Sequence, residues 1–263
     1  MTTRKSNLWL LALLLALGCG RVVGGPRQTV TIERKWPAAA IERLRVSEVG
    51  GNIEVQAVDT NEISLVATVR GSDLEIKPDR ENKGLFETHL DGDTLRIGRR
   101  EKNHFNFVLF DKDEVEIDYT LRVPQSVSLD VNTVNGRIRT RGNVDGETEA
   151  TTVNGTIDIE ASGSSELKAS TVNGRVRAKF LRSFQGAKFR TVNGGVEATL
   201  PEAASFAVDL SQVNGGFEAA FPLSIHSSPG SRHVSGEVNG GRYDLKIVTV
   251  NGDVELIKSK SGV

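Results

Sequence analysis

The sequence predicts an all-β fold, a single-chain β-solenoid with coils of 19–21 residues. Three observations point there: a tripeptide that recurs at nearly constant spacing, apolar–polar alternation on both sides of each copy, and a chain rich in Gly (27) but poor in Pro (7). Of the 263 residues, 38% are hydrophobic but only 5% aromatic, so large rings do not dominate the core. Charge is balanced, 33 Lys+Arg against 34 Asp+Glu, which argues against a dedicated nucleic-acid binder with its basic excess. A single Cys excludes an intramolecular disulfide, and one Cys with four His leaves little for a zinc cluster.

Arg4 and Lys5 precede an apolar run, Leu8 to Leu17, which ends at Gly18 and Cys19. This is the pattern of a secretory signal. The run is about half the roughly 20 residues a membrane-spanning helix needs. Ala16-Leu17-Gly18-Cys19 resembles a bacterial lipobox, although that pattern prefers Leu where Ala16 stands and a small residue where Leu17 stands. The resemblance implies a signal peptide over 1–18, lipidation at Cys19 and membrane attachment through the N-terminal lipid. Gly20, not Asp, follows Cys19, which in the sorting pattern of such lipoproteins implies the outer membrane. Residues 19–28, with Gly20, Gly24 and Gly25, read as a flexible tether.

Val-Asn-Gly occurs seven times, centred on Asn135, Asn154, Asn173, Asn193, Asn214, Asn239 and Asn251, at spacings of 19, 19, 20, 21, 25 and 12. Repetition at this period is read before any other fold signal. Val49-Gly50-Gly51-Asn52 is a diverged copy ahead of the array. Three residues past each Asn stand Ile138, Ile157, Val176, Val196, Phe217 and Val254, the first apolar members of period-two strands. The sixth copy departs: Tyr243, Leu245 and Ile247 come one position late, so a bulge or altered corner is expected there.

Before each Asn another alternating run ends in Thr (Thr133, Thr171, Thr191), and the parity then slips by one. Two readings account for the slip. Asn-Gly can be a two-residue hairpin turn, which makes the body an antiparallel β-meander. Alternatively the slip is a solenoid corner, with Val pointing inward and the seven asparagines stacked into a structural ladder at about 4.8 Å. The solenoid reading explains why Val and Asn recur without change. Charge columns also favour it. Arg139, Asp158, Arg177, Glu197 and Glu218 lie four past Asn, and Arg141, Glu160 and Lys179 lie six past. The first three signs in each column alternate, as in-register ion pairs do.

The TVNG repeats, the strand Ile117-Asp118-Tyr119-Thr120-Leu121-Arg122-Val123-Pro124, and Val49-Gly50-Gly51-Asn52-Ile53-Glu54-Val55 resemble the bacterial "putative adhesin" family, a domain of unknown function. The resemblance spans about 29–256 and implies an exported or envelope-associated right-handed β-helix. It transfers no binding residues. The domain plan is then an N-terminal β region over 29–125 with an irregular insert at 77–116, the repeat solenoid over 126–258, and a tail, 259–263. Within the insert, Asp91-Gly92 reads as a hairpin turn. Phe105, Phe107, Val108, Leu109 and Phe110 read as a strand capping the core, with an exposed partner patch as the other reading.

Chemistry-bearing motifs are missing: no nucleophile elbow, no HExxH, no P-loop and no dinucleotide fingerprint. His89, His104, His226 and His233 are scattered, and Asp111, Asp113 and Glu114 lack the Gly and later Glu of a calcium loop. No catalytic residue, metal or cofactor is expected. The expectation is a non-catalytic, exported, lipid-anchored envelope protein, an adhesin-like or scaffold module for an unknown envelope protein or glycan. The alternatives are a carbohydrate-active lyase or hydrolase using Asp158, Glu160, Glu197 or Glu218, and an envelope-stress component.

Overall fold

A computed structural model describes residues 27–72, 86–99, 115–223 and 233–259. The strands before the repeats are β1 (Arg27–Pro37), β2 (Arg43–Ser47), β3 (Ile53–Val58), β4 (Glu62–Ser72), β5 (Glu87–Asp91), β6 (Thr94–Gly98) and β7 (Glu116–Pro124). Each of the first four repeats supplies two: β8 (Ser128–Asn135) and β9 (Ile138–Arg141), β10 (Thr148–Asn154) and β11 (Ile157–Ala161), β12 (Leu167–Asn173) and β13 (Val176–Phe180), β14 (Ala187–Asn193) and β15 (Val196–Pro201). There follow β16 (Phe206–Asn214), β17 (Phe217–Ala219), β18 (His233–Val238), β19 (Tyr243–Asn251) and β20 (Val254–Ser259).

These strands form two ten-stranded sheets that enclose one core. Sheet A runs β1-β4-β7-β3-β9-β11-β13-β15-β20-β17, and sheet B runs β5-β6-β2-β8-β10-β12-β14-β19-β16-β18. Each coil gives one strand to each sheet, and repeat pairs with repeat in parallel, as in Asn135↔Asn154↔Asn173↔Asn193. Parallel pairing at this register excludes the antiparallel meander, in which neighbouring repeats would be separated by a strand of opposite direction. Apolar alternation puts Leu129, Val131, Ile138, Ile157, Ile159 and Val176 inside. Rings Phe180, Phe184, Phe206 and Phe221 follow one another edge to face, at 4.9, 5.7 and 5.3 Å, towards one end of the core.

The two coils at each end are stacked out of chain order. The β19–β20 coil lies between the β14–β15 coil and the earlier β16–β17 coil. Likewise the β6–β7 coil lies outside the β2–β3 coil, whose other face meets β8 and β9. Antiparallel strands then cover three of the four ends of the parallel stack: β4 and β1 beyond β7, β5 beyond β6 through the Asp91–Thr94 hairpin, and β18 beyond β16; the fourth, in sheet A, ends on β17 among the described residues. A parallel stack left open would present a template for further strands. The aromatic run Phe105–Phe110, read as a cap, lies outside the described residues.

The repeated corner is held by three hydrogen-bond ladders. Backbone N–H of Gly51, Gly136, Gly155, Gly174, Gly194 and Gly252 donates to the carbonyl of the neighbouring coil's Asn, at 2.8–3.2 Å. Asn side chains form the second ladder: Asn154 Nδ2 donates to Asn135 Oδ1 (2.8 Å), Asn173 to Asn154 (2.8 Å), Asn193 to Asn173 (2.9 Å), Asn251 to Asn193 (3.0 Å) and Asn214 to Asn251 (2.8 Å). The third is buried. Thr133, Thr152, Thr171 and Thr249 donate through Oγ1 to the carbonyls of Gly51, Gly136, Gly155 and Gly194, and Gln212 Nε2 does the same for Gly252. Glycine is required by close approach. A Cβ on Gly136, Gly155, Gly174 or Gly194 would lie 1.7–1.9 Å from the carbonyl oxygen of the glycine one coil away.

Two corner expectations are corrected. Asn239 is outside the ladder: it sits at φ 49° in the turn between β18 and β19, and its Nδ2 donates to the carbonyls of Glu202 and Ala204. That is why the sixth copy looked displaced. Tyr243, Leu245 and Ile247 belong to β19, in register with Phe206, Val208 and Leu210 of sheet B. The valines, expected inside, point out. Val49, Val134, Val153, Val172, Val192 and Val213 are between 37% and 52% exposed, because the preceding residue takes the inward position: Thr at 1–4% exposure in most copies, Glu48 before Val49 and Gln212 before Val213. Stacked β-branched side chains at coil spacing still shield about half of one another.

Two substitutions separate the ladders. Asn173→Ala in mid-column should cost about 1 kcal/mol, since it leaves two amide neighbours short of a partner. Gly155→Ala should cost clearly more, about 3 kcal/mol or above, because its Cβ meets a backbone oxygen that cannot move alone. Urea unfolding midpoints check the order; equal losses would contradict it.

Candidate interaction faces

The ladders fix the outward side chains at coil spacing, so charge on the two outer faces is laid out in columns. On sheet A, Glu54, Arg139, Asp158, Arg177, Glu197, Glu255 and Glu218 are in register. Asp158 lies 3.7 Å from Arg139, 3.2 Å from Arg177 and 3.7 Å from Arg137. Arg177 also reaches Glu197, at 3.5 Å. In the next column Arg141 pairs with Glu54 at 3.3 Å, not with Glu160, whose carboxylate accepts the Gly142 N–H. A shallow groove of about 360 Å³ lies here, lined by Arg139, Arg141, Asp158, Glu160, Arg177 and Lys179. Arg177 stands between Asp158 and Glu197 in the column, so these carboxylates are paired to cations and not held free as an acid–base pair.

Sheet B carries a column that the sequence reading missed. Five residues before each ladder asparagine stand Asp130, Glu149, Lys168, Lys188, Lys246 and Asp209, all in register. Lys168 donates to Glu147 (2.8 Å) and lies 3.2 Å from Glu166, and Lys188 reaches Glu166 at 2.8 Å. Hydrogen bonds from Lys188, with a further one from Lys168, hold the Glu166 carboxyl below its usual range. A groove of about 490 Å³ runs over this column, with Ser170, Arg190, Ser211 and Val248 beside the lysines.

One buried ionic group was also missed. Glu48 takes the inward Thr position of the diverged copy, and its side chain is fully buried. Its carboxylate accepts the Val49 N–H (2.9 Å) and the Tyr119 hydroxyl (3.0 Å), and Arg99 Nε lies 2.6 Å away. That contact is an ion pair whose N–H is not aimed along it, since Arg99 Nε makes no hydrogen bond of normal geometry; Arg99 Nη2 donates to the Val115 carbonyl. Gly50 stands in the Asn column beside Asn135, so the amide ladder ends where Glu48 begins. A charged residue at inward parity, in Ser47-Glu48-Val49-Gly50-Gly51, was the available signal.

Among the described residues, no group of three His, Cys, Asp or Glu side chains is arranged to hold a metal ion. His233 Nδ1 lies 3.5 Å from Asp209, and His89 is on β5. Cys19, His104, His226, Asp111, Asp113 and Glu114 lie outside the described residues.

The model of the Toastrack DUF4097 family matches residues 14–257. The chain belongs to this family. Solved structures similar to this Toastrack chain include a "putative cell adhesion protein" from Clostridium sporogenes, at 10% identity over 88% of this chain and 100% of that one, with a TM-score of 0.47. Others are a "putative adhesin" from Bacteroides fragilis (11% identity, 87% and 97% covered, TM-score 0.31) and a "putative lipid binding protein" from Parabacteroides distasonis (14%, 87% and 97%, 0.30). None of the curated proteins matches the Toastrack chain significantly.

Burial, with Glu48 close by, raises the Tyr119 pKa well above its ordinary value of 10.0. The fold therefore favours the neutral phenol. Its contribution to stability is complete below about pH 10 and is lost as pH rises towards the folded-state value. Tyr119→Phe should destabilise by about 1–3 kcal/mol at neutral pH. Above pH 10 the gap to wild type should narrow by about 1.4 kcal/mol per pH unit. Denaturant titrations of both proteins at several alkaline pH values check this, and a constant gap would contradict it.

Proposed function

We propose that the chain is an exported, lipid-anchored, non-catalytic module of the cell envelope, which holds a rigid array of side chains against a glycan or protein partner. The observation that carries this reading is the lysine column of sheet B. Lys168, Lys188 and Lys246 repeat at coil spacing over an open groove, with Arg190, Ser170 and Ser211 alongside. Such a row suits an acidic chain laid across the coils, held by many weak charge-assisted contacts. The N-terminal signal pattern and Cys19 support export and anchoring; Arg27 and Gln28, the last two residues of the segment read as a tether, belong to β1.

Two experiments test the two halves. Cys19→Ser should move the protein from the membrane fraction to the soluble fraction of lysed cells; continued membrane partitioning would remove the lipid anchor from the account. Binding to immobilised polyuronate and to neutral dextran tests the array. Retention on the acidic polymer alone, weakened about tenfold by Lys188→Gln with Lys246→Gln, supports the reading. Equal retention of wild type and double variant would oppose it.

A further inference from the structure

The outer face of sheet A is divided into two bands of opposite sign. On β9, β11 and β13 the outward positions carry Arg139, Arg141, Arg177 and Lys179 against only Asp158 and Glu160, and the exposed Arg137 and Arg175 stand just before β9 and β13. On the next three strands, β15, β20 and β17, the outward positions carry Glu197, Glu255 and Glu218, with Asp253 just before β20; the one cation on these strands, Lys258 at the end of β20, has inward parity and reaches Glu202 and the Phe221 ring. The bands are only partly neutralised: Asp158 pairs with Arg137, Arg139 and Arg177, Arg177 also reaches Glu197, and Arg141 pairs with Glu54. Among the described residues, no carboxylate pairs with Arg175 or Lys179, and no cation pairs with Glu255 or Glu218. Glu197, Glu255 and Glu218 lie directly opposite one another on adjacent strands, an arrangement that costs stability when left alone.

We propose that this face docks a second copy of the chain with its solenoid axis reversed, the basic band of each copy on the acidic band of the other. A two-fold axis lying in the plane of the interface, parallel to the strands at the boundary between the two bands, reverses the solenoid axis and brings unlike halves together twice, which makes the surface self-complementary. A free acidic polymer would meet only the basic band and be repelled by its neighbour, whereas a second copy answers both. Six strands at about 4.8 Å, each about 17 Å long, give roughly 500 Å² per copy, about 1,000 Å² in all. That is the size of a weak, reversible interface, and its polar character makes it salt-sensitive.

The test is the mass of the purified protein by sedimentation equilibrium at about 100 µM, in about 20 mM and about 500 mM salt. A dimer at low salt that dissociates at high salt is expected. Arg175→Glu with Lys179→Glu, and separately Glu255→Lys with Glu218→Lys, should each weaken self-association by about tenfold or more, and an equimolar mixture of the two should restore it. Circular dichroism confirms that each variant remains folded. A wild-type monomer at both salt levels, variants that still dimerise alone, or folded variants whose mixture fails to associate would each overturn the proposal. So would a monomer that instead retains polyuronate through Arg175 and Lys179. Because the residues changed here differ from those on sheet B, failure of this interface and failure of the proposed partner face are distinguishable.

Discussion

The structure depends on how closely the coils approach at the Val-Asn-Gly corner. Glycine carbonyls and glycine α-carbons of adjacent coils come so near that a Cβ at Gly155 would stand 1.8 Å from the Gly136 oxygen. That approach brings the Asn amides and the Thr hydroxyls of successive coils within hydrogen-bond reach. Each bond contributes only about 0.5–1.5 kcal/mol net, but the three ladders share one geometry and form or fail together. Gly, Asn and Thr are therefore selected by one spacing rather than by three separate needs.

The same spacing explains what was legible in the sequence. Coil length, strand polarity and the column Arg139-Asp158-Arg177 were readable because in-register stacking makes equivalent positions neighbours. The direction of Val was misread because two candidates compete for the inward place at the corner. Thr takes it, since its hydroxyl satisfies a buried glycine carbonyl that Val would leave unpaired. Coil order was not readable. The β16–β17 and β19–β20 coils carry the same pattern, so exchanging them leaves every local signal intact. Asn239 was counted in the ladder for a related reason: Val-Asn-Gly also suits a turn with a left-handed residue, and nothing local distinguishes the two uses.

The candidate faces were partly legible. Alternating signs in the sheet A column were visible, but the acidic band was not, because Glu255 joins it only through the exchanged coil. The sheet B lysine column was not legible because its signs do not alternate along the sequence, and Lys246 reaches its place beside Lys188 only through the exchanged coil. Glu48 replaces the corner Thr in the diverged copy, as Gln212 does in another, and a repeat pattern cannot forecast its exceptions. Together these features describe a stiff stack whose inside is devoted to its own cohesion and whose outside is an ordered set of charges.

The most direct test of in-register stacking is a set of distances between spin labels on the outward row of sheet B, with Cys19 replaced and one label fixed at Asn132. Partners at Ser170, Arg190, Val248 and Ser211 sample successively distant coils. The account predicts that each coil adds about 4.8 Å and that Ser211 is farther away than Val248 despite preceding it in the chain. Increments near 10 Å, or Val248 beyond Ser211, would contradict it.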